Sequence, residues 1–143
     1  MKLRTGLVLS KTGGMMEEFR KPLRFGVAAI LGSGKQMLSW IHLSDLCRLY
    51  CYMLEHSHLE GVFNAVGPKA ESNRTLVLEF AKRLRGNFYI PVYVPAFALK
   101  LALGEMSIEV LKSTTVNNQK VRQSGFRYVY PSLQSALDQL TSH

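Results

Sequence analysis

The segment LGSGKQMLSWIH, residues 31–42, contains the residues that most resemble a phosphate-binding loop, Gly32-Ser33-Gly34-Lys35. A triphosphate loop requires a glycine five positions before the Gly–Lys pair, and a Ser or Thr directly after the lysine to hold magnesium. Here Ala29 stands at the first of these positions and Gln36 at the second. The spacing therefore argues against a triphosphate site, and we interpret the glycines as the tight turn of a hairpin.

Other motifs for catalysis and cofactor binding do not occur in the sequence. It has no Gly-x-Gly-x-x-Gly fingerprint, no Gly-x-Ser-x-Gly elbow, no His-Glu-x-x-His pair and no Tyr-x-x-x-Lys pair. Cys47 and Cys51 lie in a helical pattern, and no second Cys or His pair stands at a ligand spacing. We therefore predict no metal site and no disulfide, and expect both cysteines to be buried or half-buried free thiols.

His42 is the histidine whose position is most suggestive of a binding role. It stands beside Trp40 at the end of a predicted strand and directly before a helix, a place where ligand-facing groups occur in open α/β sheets. A hydrogen-bonded structural histidine is the favoured alternative, and core packing is an equal alternative for Trp40.

Composition is that of a globular domain. The 143 residues are 47% hydrophobic and 20% charged, and no apolar run reaches the length of a membrane span. The first apolar run is too short for a signal peptide, so we expect a cytoplasmic protein without a membrane segment. The net charge of +8 predicts an anionic partner. Because the basic residues are scattered, nucleic acid is disfavoured, and a phosphorylated small molecule or an acidic protein surface stays open.

Apolar patterning predicts a mixed α/β chain, with a partial sheet at the front and a helical lobe behind it. KLRTGLVLS is typical of a strand buried on both faces of a parallel sheet. The two apolar segments of VAAILGSGKQMLSWIH predict a hairpin, GVFNAVGP predicts a short strand, and FRYVY predicts another.

Helical spacing and capping residues place the helices. LSDLCRLYCYMLEHSHLEG predicts a helix capped by Ser44, and SNRTLVLEFAKRLRG predicts a second helix capped by Ser72 or Asn73. Further helices are predicted over residues 96–103, 106–113 and 131–140, with a short one between Asn117 or Asn118 and Gly125.

Five ordered blocks carry a family resemblance across essentially the whole chain: RTGLVLS, GSGKQMLSWIHLSDL, GVFNAVGP, VPAFALKLALGEM and SGFRYVYPSLQSAL. They resemble the C-terminal half of extended short-chain dehydrogenases/reductases, in the NAD-dependent epimerase/dehydratase-like branch of sugar-nucleotide epimerases. The resemblance implies a remnant of a Rossmann-type sheet with a helical substrate lobe, an α/β fold that is α+β in isolation. Residues 1–86 would be the late sheet strands and substrate lobe, and residues 87–143 a small C-terminal helical domain.

The same resemblance implies a substrate-binding role without catalysis. In that family the Gly-rich NAD(P) loop and the catalytic Ser/Thr, Tyr and Lys lie upstream of the strand that RTGLVLS resembles. We therefore expect no catalytic and no cofactor-binding residue in this chain, no activity of the chain alone, and NAD or NADP as the cofactor of the intact enzyme. By position, the substrate contacts would be Lys35, Gln36, Trp40 and His42, with Lys35 or Arg24 near a sugar-nucleotide diphosphate.

A second function class stays open at this stage. The chain could be a stand-alone interaction or ligand-binding module that acts by oligomerisation. A unit that begins with a sheet strand exposes an unpaired edge, so self-association through that edge is predicted.

Overall fold

A computed structural model describes residues 1–105, 108, 111–113 and 115–142. The chain forms a mixed α/β fold, as predicted. The strands are β1 (Lys2–Thr5), β2 (Leu7–Leu9), β3 (Val27–Leu31), β4 (Met37–Leu38), β5 (Trp40–His42), β6 (Val62–Ala65), β7 (Glu71–Ser72) and β8 (Ile90–Val94). The described helices are α1 (Gly14–Leu23), α2 (Leu43–Glu55), α3 (Asn73–Arg85), α4 (Ala96–Leu103), α5 (Gln119–Gln123) and α6 (Leu133–Thr141).

The strands associate in pairs, most of them parallel. β1 pairs with β6, β2 with β5 and β3 with β8, all in parallel, whereas β4 and β7 are antiparallel. The parallel arrangement of the opening segment is therefore confirmed. Its burial on both faces is not, because most of β1 is exposed.

Gly6 is the point at which the opening segment changes its strand partner. Its N–H donates to the carbonyl of Ala65, next to β1, while the N–H of Leu7 donates to the carbonyl of Ser39, next to β2. A Cβ atom at Gly6 would lie 2.7 Å from Cγ1 of Val66 and would collide with the Ser39 carbonyl oxygen. Glycine is required here because the backbones approach so closely.

The prediction of a hairpin over residues 27–42 is wrong. β3 does not pair with β4 or β5, but lies in parallel with β8, more than fifty residues later. Gly32 and Gly34, both at positive φ, do form a tight turn, as predicted. The turn is followed by β4 and β5, which pair with β7 and β2 respectively. Apolar alternation on both sides of a turn identifies two strands but does not choose their partners.

The hydrophobic residues form two clusters. The larger cluster, which we call the α1–α3 core, includes Met16, Phe19, Ile30, Phe80 and residues of α6. The smaller cluster, the α2 core, lies between α2, β6 and α5. β1 and β6 therefore belong to one packing unit, and β3 and α3 to the other.

The helix starts are only partly as predicted. α2 begins at residue 43, and its cap is His42, whose Nδ1 accepts the N–H of Ser44 at 3.0 Å. The prediction that Ser44 caps this helix is wrong, because the imidazole of His42, two residues earlier, takes that role. For α3 the predicted cap Ser72 is confirmed, and its hydroxyl accepts the N–H of Thr75 at 3.1 Å.

The prediction of a strand over FRYVY is also wrong, because residues 126–130 are irregular. Their backbone is held by a side chain instead of a strand: the carboxylate of Asp45 accepts the N–H groups of Val129 and Tyr130, each at 2.8 Å. β-Branched and aromatic residues favour strands only where a neighbouring strand is available.

Two further predictions have different outcomes. Cys47 and Cys51 are free thiols, as expected, but both are exposed, so their predicted burial is wrong. They lie on the solvent side of α2, opposite the buried Leu49 and Met53. The helix predicted over residues 106–113 lies largely outside the described residues.

Across the described ranges, no helix is both long and apolar enough to cross a membrane. The same ranges contain no group of three or more His, Cys, Asp or Glu side chains placed to hold a metal ion.

Candidate functional site

A cleft of about 660 Å³ lies beside the switch from β1 to β2. The strand segments on either side of Gly6 form one wall, and α1 and the end of β3 form another. Lys112 and residues 115–117 form a third. The lining residues are Arg4, Thr5, Gly6, Leu7, Met15, Phe19, Leu31, Met37, Leu38, Ser39, Asn64, Val66, Asn73, Lys112, Thr115, Val116 and Asn117.

Polar side chains meet at the end formed by β1 and β6, which we call the polar end. Arg4 and Asn64 are direct partners in the parallel pair. The Nδ2 of Asn64 donates to the carbonyl of Asn117 at 2.8 Å, which brings the third wall to the same place. The polar end therefore combines a cation and two asparagines, which come from three segments.

Arg4 and Lys112 supply the positive charge of the cleft, and both are exposed. Neither side chain forms an ion pair or hydrogen bond with another described residue. Positive side chains such as these attract an anionic group such as a phosphate.

Two hydrogen bonds fasten the third wall to the strand region. The hydroxyl of Ser113 accepts the N–H of Met37, and the hydroxyl of Ser39 accepts the N–H of Val116, each at 2.9 Å. These contacts span more than seventy residues of sequence, so the shape of the cleft depends on tertiary packing.

Apolar side chains form another part of the lining, which we call the apolar end. Met15 and Phe19 come from α1, and Leu31 ends β3. Asn73, the first residue of α3, is the polar residue among them and is only 1% exposed. Its Oδ1 accepts the N–H of Leu31 at 2.9 Å, and its own backbone N–H donates to the carbonyl of Gln36 at 3.0 Å. Its Nδ2 has no hydrogen-bond partner among the residues that the structure describes.

Tyr128 supports the cleft through a hydrogen bond to Val66, one of the lining residues. The hydroxyl of Tyr128 donates to the carbonyl of Val66 at 2.6 Å and accepts from Nδ2 of Asn118 at 3.2 Å. Burial raises the pKa of Tyr128, and the negative charge of Asp45 raises it further, against the lowering effects of the Asn118 hydrogen bond and of Arg122. The hydroxyl therefore stays protonated and keeps donating to the wall of the cleft.

The four predicted contact residues are not among the described residues that line the cleft. Lys35 is exposed, in the turn after β3. Gln36 is buried, and its Nε2 donates to the carbonyl of Leu31 at 2.9 Å. Substrate contact by these residues stays a prediction.

Trp40 and His42 lie in well-packed positions. Trp40 is 1% exposed and belongs to the α1–α3 core. The ring of His42 is stacked on Tyr130 with the ring centroids 4.0 Å apart, and its Nε2 is 2.8 Å from Oε1 of Gln139. These contacts match the structural alternatives weighed for both residues.

Sequence reasoning did not single out the residues that line the cleft. Arg4 and Asn64 each stand one residue before the end of a parallel strand, and Asn73 follows the helix cap Ser72. Polar residues at such ends are a signal for ligand sites in α/β folds. Applied to every strand end, that rule would have selected Arg4 and Asn64, but not Lys112.

Comparison with known proteins identifies the C-terminal third of the chain as a named domain. Residues 94–140 match the family described as "Domain of unknown function (DUF1731)". The match begins at the end of β8 and extends through α6. It includes the third wall of the cleft.

Curated relatives match almost the whole chain. It is 34% identical over 137 residues to the mouse epimerase family protein SDR39U1, covering 94% of this chain and 46% of the mouse protein. It is 35% identical over 137 residues to an epimerase family protein of Staphylococcus epidermidis, covering 96% of this chain and 45% of that protein. The chain thus spans just under half the length of the curated relatives it matches.

Solved structures show the same correspondence. The human epimerase family protein SDR39U1, crystallised with NADPH, superposes with a TM-score of 0.87 at 31% identity over 97% of this chain and 47% of that chain. UDP-glucose 4-epimerase from Thermotoga maritima, with UDP-glucose, superposes with a TM-score of 0.70 at 22% identity over 97% of this chain and 43% of that chain, and shares the fold. The chain therefore corresponds to the C-terminal part of the epimerase family proteins, with the DUF1731 domain over residues 94–140.

Proposed function

We propose that the chain is the substrate-binding part of an NAD(P)-dependent epimerase or reductase that acts on a nucleotide sugar. The observation that carries this proposal is the cleft itself, with a polar end, an apolar end and two cations that have no ion-pair partner among the described residues. Its volume of about 660 Å³ falls in the range of small-molecule sites. Its walls come from both the strand region and the DUF1731 domain.

The charge of the cleft favours a phosphorylated ligand. Arg4 and Lys112 would contact the diphosphate, because charge-assisted hydrogen bonds to phosphate are stronger than neutral ones. Asn64 and Asn117 would contact hydroxyl groups near it. The sugar-nucleotide expectation rests on this arrangement and on the UDP-glucose named for the Thermotoga maritima structure.

The proposed cofactor of the intact protein is NAD or NADP, supported by the NADPH named for the human relative. This chain has no glycine-rich strand–helix loop in its sequence, so we assign no hydride-transfer step to its residues. We propose that the 143-residue chain alone is inactive and that it binds and orients the substrate. The proposed compartment is the cytoplasm.

We propose different roles for the four residues predicted from the resemblance. Lys35 is exposed and can reach a ligand that extends out of the cleft. Gln36, Trp40 and His42 would act as positioning residues, since Gln36 bonds both Leu31 and Asn73, and the other two anchor the β5 segment.

The test is a titration of the 143-residue chain with UDP-glucose, followed by ¹H–¹⁵N NMR spectra. We expect the signals of residues around the cleft to shift, and the variant Lys112→Met to weaken binding about fivefold to tenfold through loss of a phosphate contact. Lys100→Met is the matched control, because Lys100 is exposed on α4 and does not line the cleft. Absence of binding, or equal weakening by both variants, would contradict the proposal.

A second candidate function is self-association through β1. In the described part of the chain β1 pairs with β6 alone, so its other edge is open, and β1 is largely exposed. A dimer in light scattering that is lost on Leu3→Pro, with the fold intact by circular dichroism, would support a module acting by oligomerisation. A monodisperse monomer would exclude it.

A further inference from the structure

Large apolar side chains are exposed where α1 and α3 end, over residues 20–26 and 82–90, which we call the helix-end tip. Phe25 follows α1 and is 86% exposed, and Phe88 follows α3 and is 81% exposed. Ile90, which begins β8, is 68% exposed. One exposed apolar side chain is ordinary on a protein surface, but several together indicate an interaction site.

Backbone contacts join the two segments of the helix-end tip into one surface. The N–H of Ile90 donates to the carbonyl of Gly26 at 2.8 Å, where β3 and β8 start side by side. Arg85 lies between the segments. Its Nε donates to the carbonyl of Phe88 at 3.2 Å, and its Nη2 lies 3.6 Å from the position that a Cβ atom on Gly26 would take. Phe25, Phe88 and Ile90 therefore belong to neighbouring stretches of backbone.

The charge of the helix-end tip is positive. Its two segments contain six cationic side chains and no Asp or Glu: Arg20, Lys21, Arg24, Lys82, Arg83 and Arg85. Four of these cations pair with carboxylates outside the tip, on Glu17, Glu18, Glu79 and Asp138. Lys82 and Arg85 are exposed and have no ion-pair partner among the described residues. The tip therefore combines exposed apolar side chains with surplus positive charge.

We propose that the helix-end tip is a docking surface for a membrane with anionic headgroups. Phe25, Phe88 and Ile90 enter the boundary between headgroups and acyl chains, where their apolar surface leaves water. Lys82 and Arg85 stay at the level of the headgroup phosphates, which attract them. The docking is peripheral and reversible, and it accounts for part of the net charge of +8 that predicts an anionic partner. It goes beyond the proposed function and does not depend on the cleft.

The aliphatic side chains of the tip favour a membrane over the other occupants. Phenylalanines beside cations also stack on the bases of single-stranded nucleic acids. Ile90 and the exposed Leu84 have no ring to stack, however, and gain free energy only by leaving water. A second copy of the chain is disfavoured at this surface, because two tips of the same positive charge would meet.

The experiment measures cosedimentation of the 143-residue chain with vesicles of phosphatidylcholine and phosphatidylglycerol in equal parts, and with vesicles of phosphatidylcholine alone. At low salt we expect binding to the mixed vesicles to be at least about tenfold tighter, because the phosphatidylcholine surface carries no net charge. High salt should weaken binding to the mixed vesicles.

Single substitutions separate the apolar and the electrostatic contributions. Phe25→Ser and Phe88→Ser should each weaken binding to the mixed vesicles about fivefold, through loss of inserted apolar surface. Phe97→Ser is the matched control, because Phe97 is exposed on α4 and lies outside the tip, and it should bind as the wild type does.

Lys82→Gln should weaken binding about threefold to fivefold at low salt and much less at high salt. Lys100→Gln is its matched control, at an exposed position on α4. Unchanged circular dichroism and an unchanged urea midpoint show that the variants are folded.

The inference is overturned if the wild-type chain does not bind the mixed vesicles, if it binds both kinds of vesicle equally, or if Phe97→Ser weakens binding as much as Phe25→Ser and Phe88→Ser. Two other results would replace the membrane by another occupant. Binding of a single-stranded RNA that is lost on Phe88→Ser, without vesicle binding, would assign the tip to nucleic acid. A dimer in light scattering that is lost on Phe88→Ser would assign it to a second copy of the chain.

Discussion

Helices α2 and α3 begin in the same way, but the buried polar residues in their first turns have different roles. Each has thirteen residues, a polar side chain as its N-cap and a fully buried polar residue in its first turn. In α2 this residue is Asp45, 0% exposed, and in α3 it is Asn73, 1% exposed. Both bind a backbone N–H of a distant segment.

The two side chains differ in how many of their hydrogen-bonding atoms have partners. Both oxygens of Asp45 are bonded: Oδ1 accepts from Val129 and Arg48, and Oδ2 accepts from Tyr130. Asn73 uses its oxygen and leaves its nitrogen without a protein partner among the described residues. A saturated buried group stabilises the fold, whereas a buried donor without an acceptor reduces what its side chain contributes to stability.

Asp45→Ala should have the largest effect on stability. It leaves two part-buried backbone N–H groups without an acceptor, and we expect a loss of about 2 kcal/mol in the free energy of unfolding. Urea unfolding measures it. Asp45→Asn keeps one acceptor but sets its NH₂ group against the other backbone N–H, so it should also be destabilised. A loss below about 1 kcal/mol for Asp45→Ala would show that residues 126–130 are held in another way.

Asn73→Ala should cost about 1–2 kcal/mol, because it removes the acceptor for Leu31 but only that one. Urea unfolding measures this loss. A loss as large as that of Asp45→Ala would mean that the Nδ2 group also has a structural role, and the contrast with Asp45 would disappear.

Tyr128→Phe should cost about 1 kcal/mol, through loss of the hydrogen bond to the Val66 carbonyl. It should also change the pH dependence. Because the pKa of Tyr128 is raised above 10.0, the unfolded chain ionises first, so wild-type stability falls as the pH rises from about 10 towards the folded pKa. Thermal unfolding of both proteins between pH 9 and 11 should show a shallower decline for Tyr128→Phe. Parallel declines would contradict the raised pKa.

Arg48→Met should have the smallest effect, about 0.5 kcal/mol or less. The Arg48 side chain is 46% exposed, so water screens its 3.0 Å ion pair with Asp45. The free energy of unfolding in low and high salt measures this contribution. A loss as large as that of Asp45→Ala would show that the ion pair, rather than the backbone N–H groups, holds Asp45.

Local patterns predicted what depends on nearby residues. The helices around Leu49 and Phe80, the Ser72 cap, the turn at Gly32 and Gly34 and the parallel opening segment were all visible as spacing or turn chemistry. The predictions of a hairpin over residues 27–42 and of a strand over FRYVY were wrong, because a strand pattern does not identify the strand with which it pairs. β3 pairs with β8 instead, and Asp45 holds residues 129 and 130 from eighty-four residues away.

The sequence by itself determined the α/β class, the elements and the relation to epimerase family proteins, because periodicity, caps and motif blocks are properties of neighbouring residues. Which residues come together at the cleft was decided only by the tertiary structure. Arg4 meets Asn64 through strand register, and Leu31 meets Asn73 across forty-two residues of chain. It also decided that Asp45 is saturated and Asn73 is not, because the partners available to a buried polar group depend on which distant backbone packs against it.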